Sequence, residues 1–258
     1  MSNFLWSDAT DEDVDLQYSP SRFALRPLDE YLVEYATLSQ PYRNSSLTVP
    51  GQPLLVYIHG GYWQRLSAAD SLFNAPDALA HGVSLHAVEY TLAPHATVAQ
   101  IIDECVVDVQ NVLNTLQPSR VVVAGCSAGA HLVAMCARHA SLQGRLHAVA
   151  LLSGIYDVRP IVRTPTNDPL GLTNETAADI SPQLLAPVAS PPHALLAVGQ
   201  HESAEFIRQN REYGELLQRN GAQVTIDVVE NRDHFNLPYD LLRKGTRVGD
   251  WVLAQLKG

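Results

Sequence analysis

Six short runs dominated by apolar residues, 54–58, 83–88, 120–124, 146–152, 194–198 and 223–229, are separated by stretches with helical spacing. The helical stretches are 67–80, 97–116, 131–140, 205–219 and 237–256. The clearest is 97–116, where Val98, Ile101, Cys105, Val109, Val112 and Leu116 share one face. A strand that is apolar on both faces must be covered on both, and a helix-length connection lets successive strands run the same way. The alternation therefore predicts an α/β fold, with a mostly parallel central sheet and helices on both faces. A chain of 258 residues suits one such domain, 1–258, with no internal repeat. Residues 1–50 are a polar, proline-punctuated lead-in with helical spacing only at 28–38. The stretch 158–192 breaks the rhythm with seven prolines and is expected to form a lid or pocket wall.

The charge balance excludes several partners. With 17 basic and 27 acidic residues the formal charge is −10, and no Lys/Arg-rich run occurs, so nucleic acid and anionic membrane surfaces are poor partners. Residues 1–15 are acidic and lack the pattern of a signal peptide, and no apolar run reaches the length of a membrane span. The three cysteines, Cys105, Cys126 and Cys136, do not make a disulfide framework. A cytoplasmic protein is expected, with a homodimer left open.

Gly125-Cys126-Ser127-Ala128-Gly129 joins the run 120–124 to the helical stretch that follows. A serine held in a sharp strand-to-helix turn needs small residues two positions away on either side, and glycine stands at both. This is the G-x-S-x-G setting of a nucleophile, with Ser127 beside a helix N-terminus. Such a serine requires a base, a group that orients the base, and donors for an oxyanion, in the chain order serine, acid, histidine. His234 follows the last strand and is the candidate base; His193 and His201 lie at the ends of the preceding strand. Glu202 is the first carboxylate past the strand 194–198 and is the candidate acid. Its rivals are Glu205, expected to face solvent in the first turn of the next helix, Asp227 within a strand, and Asp233 beside the base. His59-Gly60-Gly61-Tyr62-Trp63 follows the strand 54–58, so the N–H groups of Gly60, Gly61 and Ala128 are the candidate oxyanion donors. His59 reads as a brace for that loop, and Tyr62 and Trp63 as pocket wall. No metal-ligand spacing and no nucleotide-binding glycine pattern occurs, so no cofactor is implied. Cys126, beside the candidate nucleophile, is a position where oxidation or alkylation is expected to inactivate.

His59-Gly-Gly-Tyr-Trp63 matches an H-G-G-x-W signature, and Gly125-Cys-Ser-Ala-Gly-Ala-His-Leu132 a G-x-S-A-G-A-H-L pattern. With Tyr18-Ser-Pro-Ser-Arg22, Tyr90-Thr-Leu-Ala-Pro94, Ser153-Gly-Ile-Tyr-Asp157 and the loop 199–206, they resemble the kynurenine formamidase (arylformamidase) branch of the α/β-hydrolases. That branch lies close to the hormone-sensitive-lipase-like esterases. The resemblance implies an α/β-hydrolase fold and a serine hydrolase that cleaves N-formylkynurenine, a small-molecule aryl formamide, with Tyr62, Trp63, Tyr156 and Phe235 around the aromatic leaving group. Two departures are visible. Glu202 stands where aspartate is usual, and the region between Tyr35 and Gln52 is too short for the usual first two strands, which predicts a sheet trimmed at that edge. A carboxylesterase for small acyl or aryl esters is the first alternative, and a ligand-binding homologue without catalysis the second.

Overall fold

The apolar runs form a single sheet in the computed structural model, which describes residues 5–257. In chain order the main elements are α1 (Asp11–Gln17), α2 (Leu28–Ser39), β1 (Leu54–Ile58), α3 (Ala75–His81), β2 (Ser84–Val88), α4 (Val98–Leu116) and β3 (Val121–Cys126). They continue with α5 (Ala128–Arg138), β4 (Ala148–Leu152), α6 (Asn174–Asp179), β5 (His193–His201), α7 (Ala204–Arg219), β6 (Val224–Asp233) and α8 (Arg247–Lys257). The strand order is β2-β1-β3-β4-β5-β6, and every neighbouring pair is parallel.

The period of two along each strand divides the core in two layers. Leu54, Val56 and Ile58 of β1, with Val121 and Val123 of β3, pack with the buried faces of α4, α5 and α7. Leu55, Tyr57, Val122, Ala124 and Cys126 pack on the opposite side with α3 and α8. Full burial of each such aliphatic side chain stabilises by about 1.5–3 kcal/mol before the entropy of ordering it is counted. Helix α4 begins at a capping box in which Thr97 and Gln100 satisfy each other's backbone N–H groups.

The chain winds outward from β1 to β2, then returns to place β3 on the other side of β1. At such a reversal the loops leaving the two strands diverge and open a crevice at their carboxyl ends. Gly60-Gly61 leaves β1 there, and Ser127 leaves β3.

Three expectations change in detail. The helical stretch 67–80 is broken: Ala68–Asp70 is a 3-10 turn, and α3 starts afresh with Pro76 in its first turn, where a missing N–H costs nothing. The stretch 237–256 likewise divides into a 3-10 turn at Leu237–Asp240 and α8, with Gly245 at φ +86° between them. The lead-in holds α1 as well as α2, and α6 lies inside 158–192. Among the described residues no strand precedes Leu54, in keeping with a trimmed edge.

Candidate active site

Ser127 occupies φ 57° and ψ −123°, a conformation that L-residues rarely adopt. Holding it there costs on the order of 1–3 kcal/mol, and the surroundings explain how it is held. A Cβ on Gly125 would lie 2.5 Å from the Gly129 carbonyl carbon, and one on Gly129 would lie 2.0 Å from Ile58 O. Only glycine fits at either place, because strand, turn and helix meet backbone to backbone. Ser127 N–H donates to Leu152 O at 2.8 Å, fastening the turn to β4, and Ser127 O accepts from His131 N–H at 3.1 Å.

The last two strands deliver the candidate acid and base. Glu202 follows β5 and His234 follows β6, and both are buried. His234 Nδ1–H donates to Glu202 Oε2 at 2.7 Å. The other carboxylate oxygen, Oε1, accepts from Ser153 Oγ at 2.6 Å and from Gly199 N–H at 2.7 Å. The acid is thus fixed from three sides, and the Nε2 edge of His234 is left for the cavity that His234 and Ser127 both line.

The rival groups are engaged elsewhere. Asp227 pairs with Arg247 at 2.9 Å. Asp233 is fully buried and accepts from Tyr31 Oη at 2.6 Å and from the N–H groups of Leu25, Phe235 and Asn236. Burial raises the Asp233 carboxyl, but these hydrogen bonds together outweigh it and hold the group below its usual range. Glu205, expected at the surface, is instead fully buried: it pairs with Arg208 and accepts from Tyr18 Oη at 2.8 Å. Glu205 is covered because Gln17, at the end of α1, and Tyr18 after it pack over the start of α7. His201 is exposed and His193 meets Gln255 at 3.1 Å.

The loop after β1 lies against the elbow. A Cβ on Gly60 would sit 2.8 Å from Cys126 O and 3.2 Å from Ser127 Cβ, and Gly61 has φ +97°. Among the described residues, no loop, cap or side-chain acceptor takes the N–H of Gly60, Gly61 or Ala128. Ala128 opens α5, so its N–H also carries the positive end of that helix. His59 braces the loop, its Nδ1 lying 2.9 Å from Gly60 O and its ring stacked on Tyr90 at 4.2 Å. Burial lowers its pKa to about 4, so the imidazole is neutral near pH 7.

The cavity above Ser127 measures about 430 Å³. Of the four candidate pocket residues, Tyr62 and Phe235 line it, and Trp63 and Tyr156 do not. Both are fully buried in the core. Trp63 meets His131 edge-on at 5.1 Å, and Tyr156 stacks on Tyr213 at 4.3 Å. Their apolar area is used for packing, and they leave the list of pocket residues. The sequence reading missed Tyr18, Leu28, Leu32 and Tyr35 of the lead-in, all of which line the cavity. The spacing 28, 32, 35 on one helical face was the available signal. From 158–192 only Pro165 and Thr166 reach the cavity, so that segment contributes wall. Arg163 ties it to the lead-in through Trp6 O, Ala9 O and Asp11.

Cys126 is buried and its Sγ lies 3.6 Å from His234 O. Burial, and then the charges of Glu202 and Asp233, push the thiol well up, so it is held neutral rather than reactive. Among the described residues no group of three His, Cys, Asp or Glu side chains is placed to hold a metal ion. No helix among them is long and apolar enough to cross a membrane.

Comparison with known proteins agrees with this architecture. The family described as the alpha/beta hydrolase fold matches residues 55–237. The kynurenine formamidase of Salmo salar is 32% identical over 97% of this chain and 96% of its own length. A solved structure from Silicibacter superposes with a TM-score of 0.80, at 23% identity over 95% of this chain and 99% of that one. A hormone-sensitive lipase from a metagenome library superposes with a TM-score of 0.65, at 21% identity over 96% of this chain and 99% of that one. The chain is a hydrolase that belongs to the α/β-hydrolase fold family and, by sequence, stands with its kynurenine formamidases.

Proposed function

We propose that the protein hydrolyses an aryl formamide, N-formylkynurenine, to kynurenine and formate through a Ser127–His234–Glu202 triad. His234 takes the proton of Ser127 Oγ as the oxygen adds to the formyl carbon. The N–H groups of Gly60, Gly61 and Ala128 hold the resulting oxyanion, each such donor contributing on the order of 10²–10³ in rate. His234 then passes the proton to the departing arylamine nitrogen as the C–N bond breaks. Water, deprotonated by the same imidazole, adds to the formyl-serine ester, and His234 returns that proton to Ser127 Oγ as the acyl–oxygen bond breaks and formate leaves.

The observation that carries this reading is the 2.7 Å bond between Glu202 and His234 at the mouths of two adjacent strands, beside a cavity that also reaches Ser127. The formamidase relative favours the formamide among the substrates such a set could serve. Comparing kcat/KM for N-formylkynurenine and p-nitrophenyl acetate tests it. A clear preference for the formamide is expected. A large preference for the ester would assign the protein to the carboxylesterases instead.

A further inference from the structure

The cavity over Ser127 is unevenly charged. Among the described residues no aspartate or glutamate lines it, and the one Lys or Arg that does is Arg65. In a chain of net charge −10 this is an unusual balance for a surface opening. Arg65 enters none of the ion pairs among the described residues, whereas Arg26, Arg43, Arg159, Arg208 and Arg232 are each held by a carboxylate.

The backbone that carries Arg65 is fixed to the oxyanion loop. A Cβ on Gly61 would lie 2.4 Å from Arg65 O and 3.2 Å from Arg65 Cβ, so the Gly61–Arg65 segment is a closed turn. Gln64 N–H donates to Gly61 O at 3.0 Å within it. Gln64 Nε2 also donates to Thr166 O at 2.9 Å, which clips the same turn to the proline-rich wall. The left-handed residues Tyr62, Trp63 and Leu66 shape its path. The backbone that carries Arg65 is thereby fixed against Gly61, and its exposed side chain lines the same cavity as Gly60, Gly61 and Ser127. The lining also includes the apolar and aromatic side chains of Leu28, Leu32, Tyr35 and Phe235.

We infer that Arg65 is a specificity residue that binds a carboxylate on the leaving group of the substrate, remote from the bond that is cut. The apolar lining takes the aromatic ring, the oxyanion loop takes the acyl oxygen, and the guanidinium takes the anion in two parallel hydrogen bonds. This rests on the proposed function for the identity of the acyl bond, but the choice of an anionic leaving group follows from the cavity itself. A charge-assisted hydrogen bond of this kind is expected to change kcat/KM by about tenfold or more.

The test uses two substrate pairs that differ only in the carboxylate: N-formylkynurenine with N-formylkynuramine, and 3-acetoxybenzoate with phenyl acetate. The expected result is a kcat/KM ratio of about ten or more in favour of the carboxylate partner. It should collapse toward one in Arg65→Gln, be partly kept in Arg65→Lys, and shrink with added salt. A ratio near one in the unmodified protein, or an Arg65→Gln variant that slows both partners alike, overturns the inference. Formamides cleaved without such a ratio leave the proposed function standing and remove the role of Arg65. Inert formamides together with an Arg65-dependent ratio for the esters do the reverse. A protein inert to both pairs overturns both.

Discussion

Ser153 Oγ donates to Glu202 Oε1 at 2.6 Å, on the carboxylate oxygen that His234 does not use. Ser153 directly follows β4 with φ 50°, so a second strained serine stands one strand away from Ser127. The carboxyl ends of β4, β5 and β6 thus each supply one member of a hydrogen-bonded set, Ser153, Glu202 and His234, and Ser127, leaving β3, lines the same cavity as His234. A parallel sheet brings four such ends to one edge without any long excursion of the chain, which is why its chemistry gathers there.

Ser153→Ala removes one of three donors to the acid. Under the proposed mechanism kcat falls by about tenfold to a hundredfold, the scale of one hydrogen bond to a charged group, while the protein still folds. Steady-state kinetics with a thermal melt decides it. An unchanged kcat would mean that Gly199 N–H and His234 suffice to hold Glu202 in place.

Ser127→Ala is expected to lower kcat by about 10⁴–10⁶-fold with no loss of fold. Fluorophosphonate labelling followed by peptide mapping should mark Ser127 and no other serine. Label on a different serine would reassign the nucleophile.

Glu202→Gln and Glu205→Gln should fail in different ways. Glu202→Gln loses the carboxylate that orients His234, and kcat drops by about 10⁴-fold in a folded protein. Glu205→Gln removes the charged partner of Tyr18 and one of the two carboxylates on Arg208, which keeps Glu212, and costs about 1.5–3 kcal/mol of stability, with kcat of the folded protein retained. Paired melts and kinetics separate the two, and the opposite pattern would exchange their roles.

Glu205 also shows where the sequence was legible and where it was not. The elbow, the Gly-Gly loop, Glu202 and His234 could be read because each depends on local geometry at the end of a strand. Gly129 must be glycine because Ile58 O is in the way, a constraint that recurs in every such turn. The environment of Glu205 depends on α1 and Tyr18, about 190 residues away in the chain, and no local rule reports that. The aromatic residues failed for a related reason. Trp63 and Tyr156 lie next to site residues in sequence, but which way each side chain turns is decided by neighbours such as His131 and Tyr213. Leu28, Leu32 and Tyr35 did announce a helix face; what it faces is a tertiary matter.

Burial holds His59 and His131 at a pKa of about 4, well below an exposed histidine. A depressed histidine favours the neutral form in the folded state. Its stabilising contribution is complete above the unfolded pKa of about 6.5 and is lost as pH falls toward the folded value. Each should cost about 1.5 kcal/mol between pH 6.5 and 5. Urea unfolding across that window should show the loss, and His131→Gln should remove roughly half of the slope. A flat profile would mean that neither ring is held neutral.

Cys126 should resist alkylation, contrary to what its place beside Ser127 suggests. The thiolate is the reactive form, and burial with nearby carboxylates suppresses it. Iodoacetamide at pH 7.5 should modify Cys126 at least about a hundredfold more slowly than free cysteine, with activity kept. Inactivation at the free-thiol rate would show that the elbow opens in solution.

The lead-in is expected to act on the base through Asp233. Tyr31 Oη and Leu25 N–H both donate to Asp233 Oδ2, Tyr35 Oη donates to Phe235 O, and Tyr31 stacks on Phe235 at 5.4 Å. The loop that carries His234 is therefore clamped by α2, which also lines the cavity. Tyr31→Phe keeps the ring and removes one hydrogen bond to a charged group, so stability falls by about 1.5–3 kcal/mol. It also leaves Asp233 less strongly held in its ionised form. The stability that a depressed carboxyl contributes is present above its ordinary pKa and is lost as pH falls through the folded value, so the variant should lose less on acidification below about pH 4. Comparing melts of the two proteins at pH 7 and at pH 3.5 reads both effects. An equal difference at the two pH values would show that the Tyr31 hydroxyl stabilises independently of the charge on Asp233.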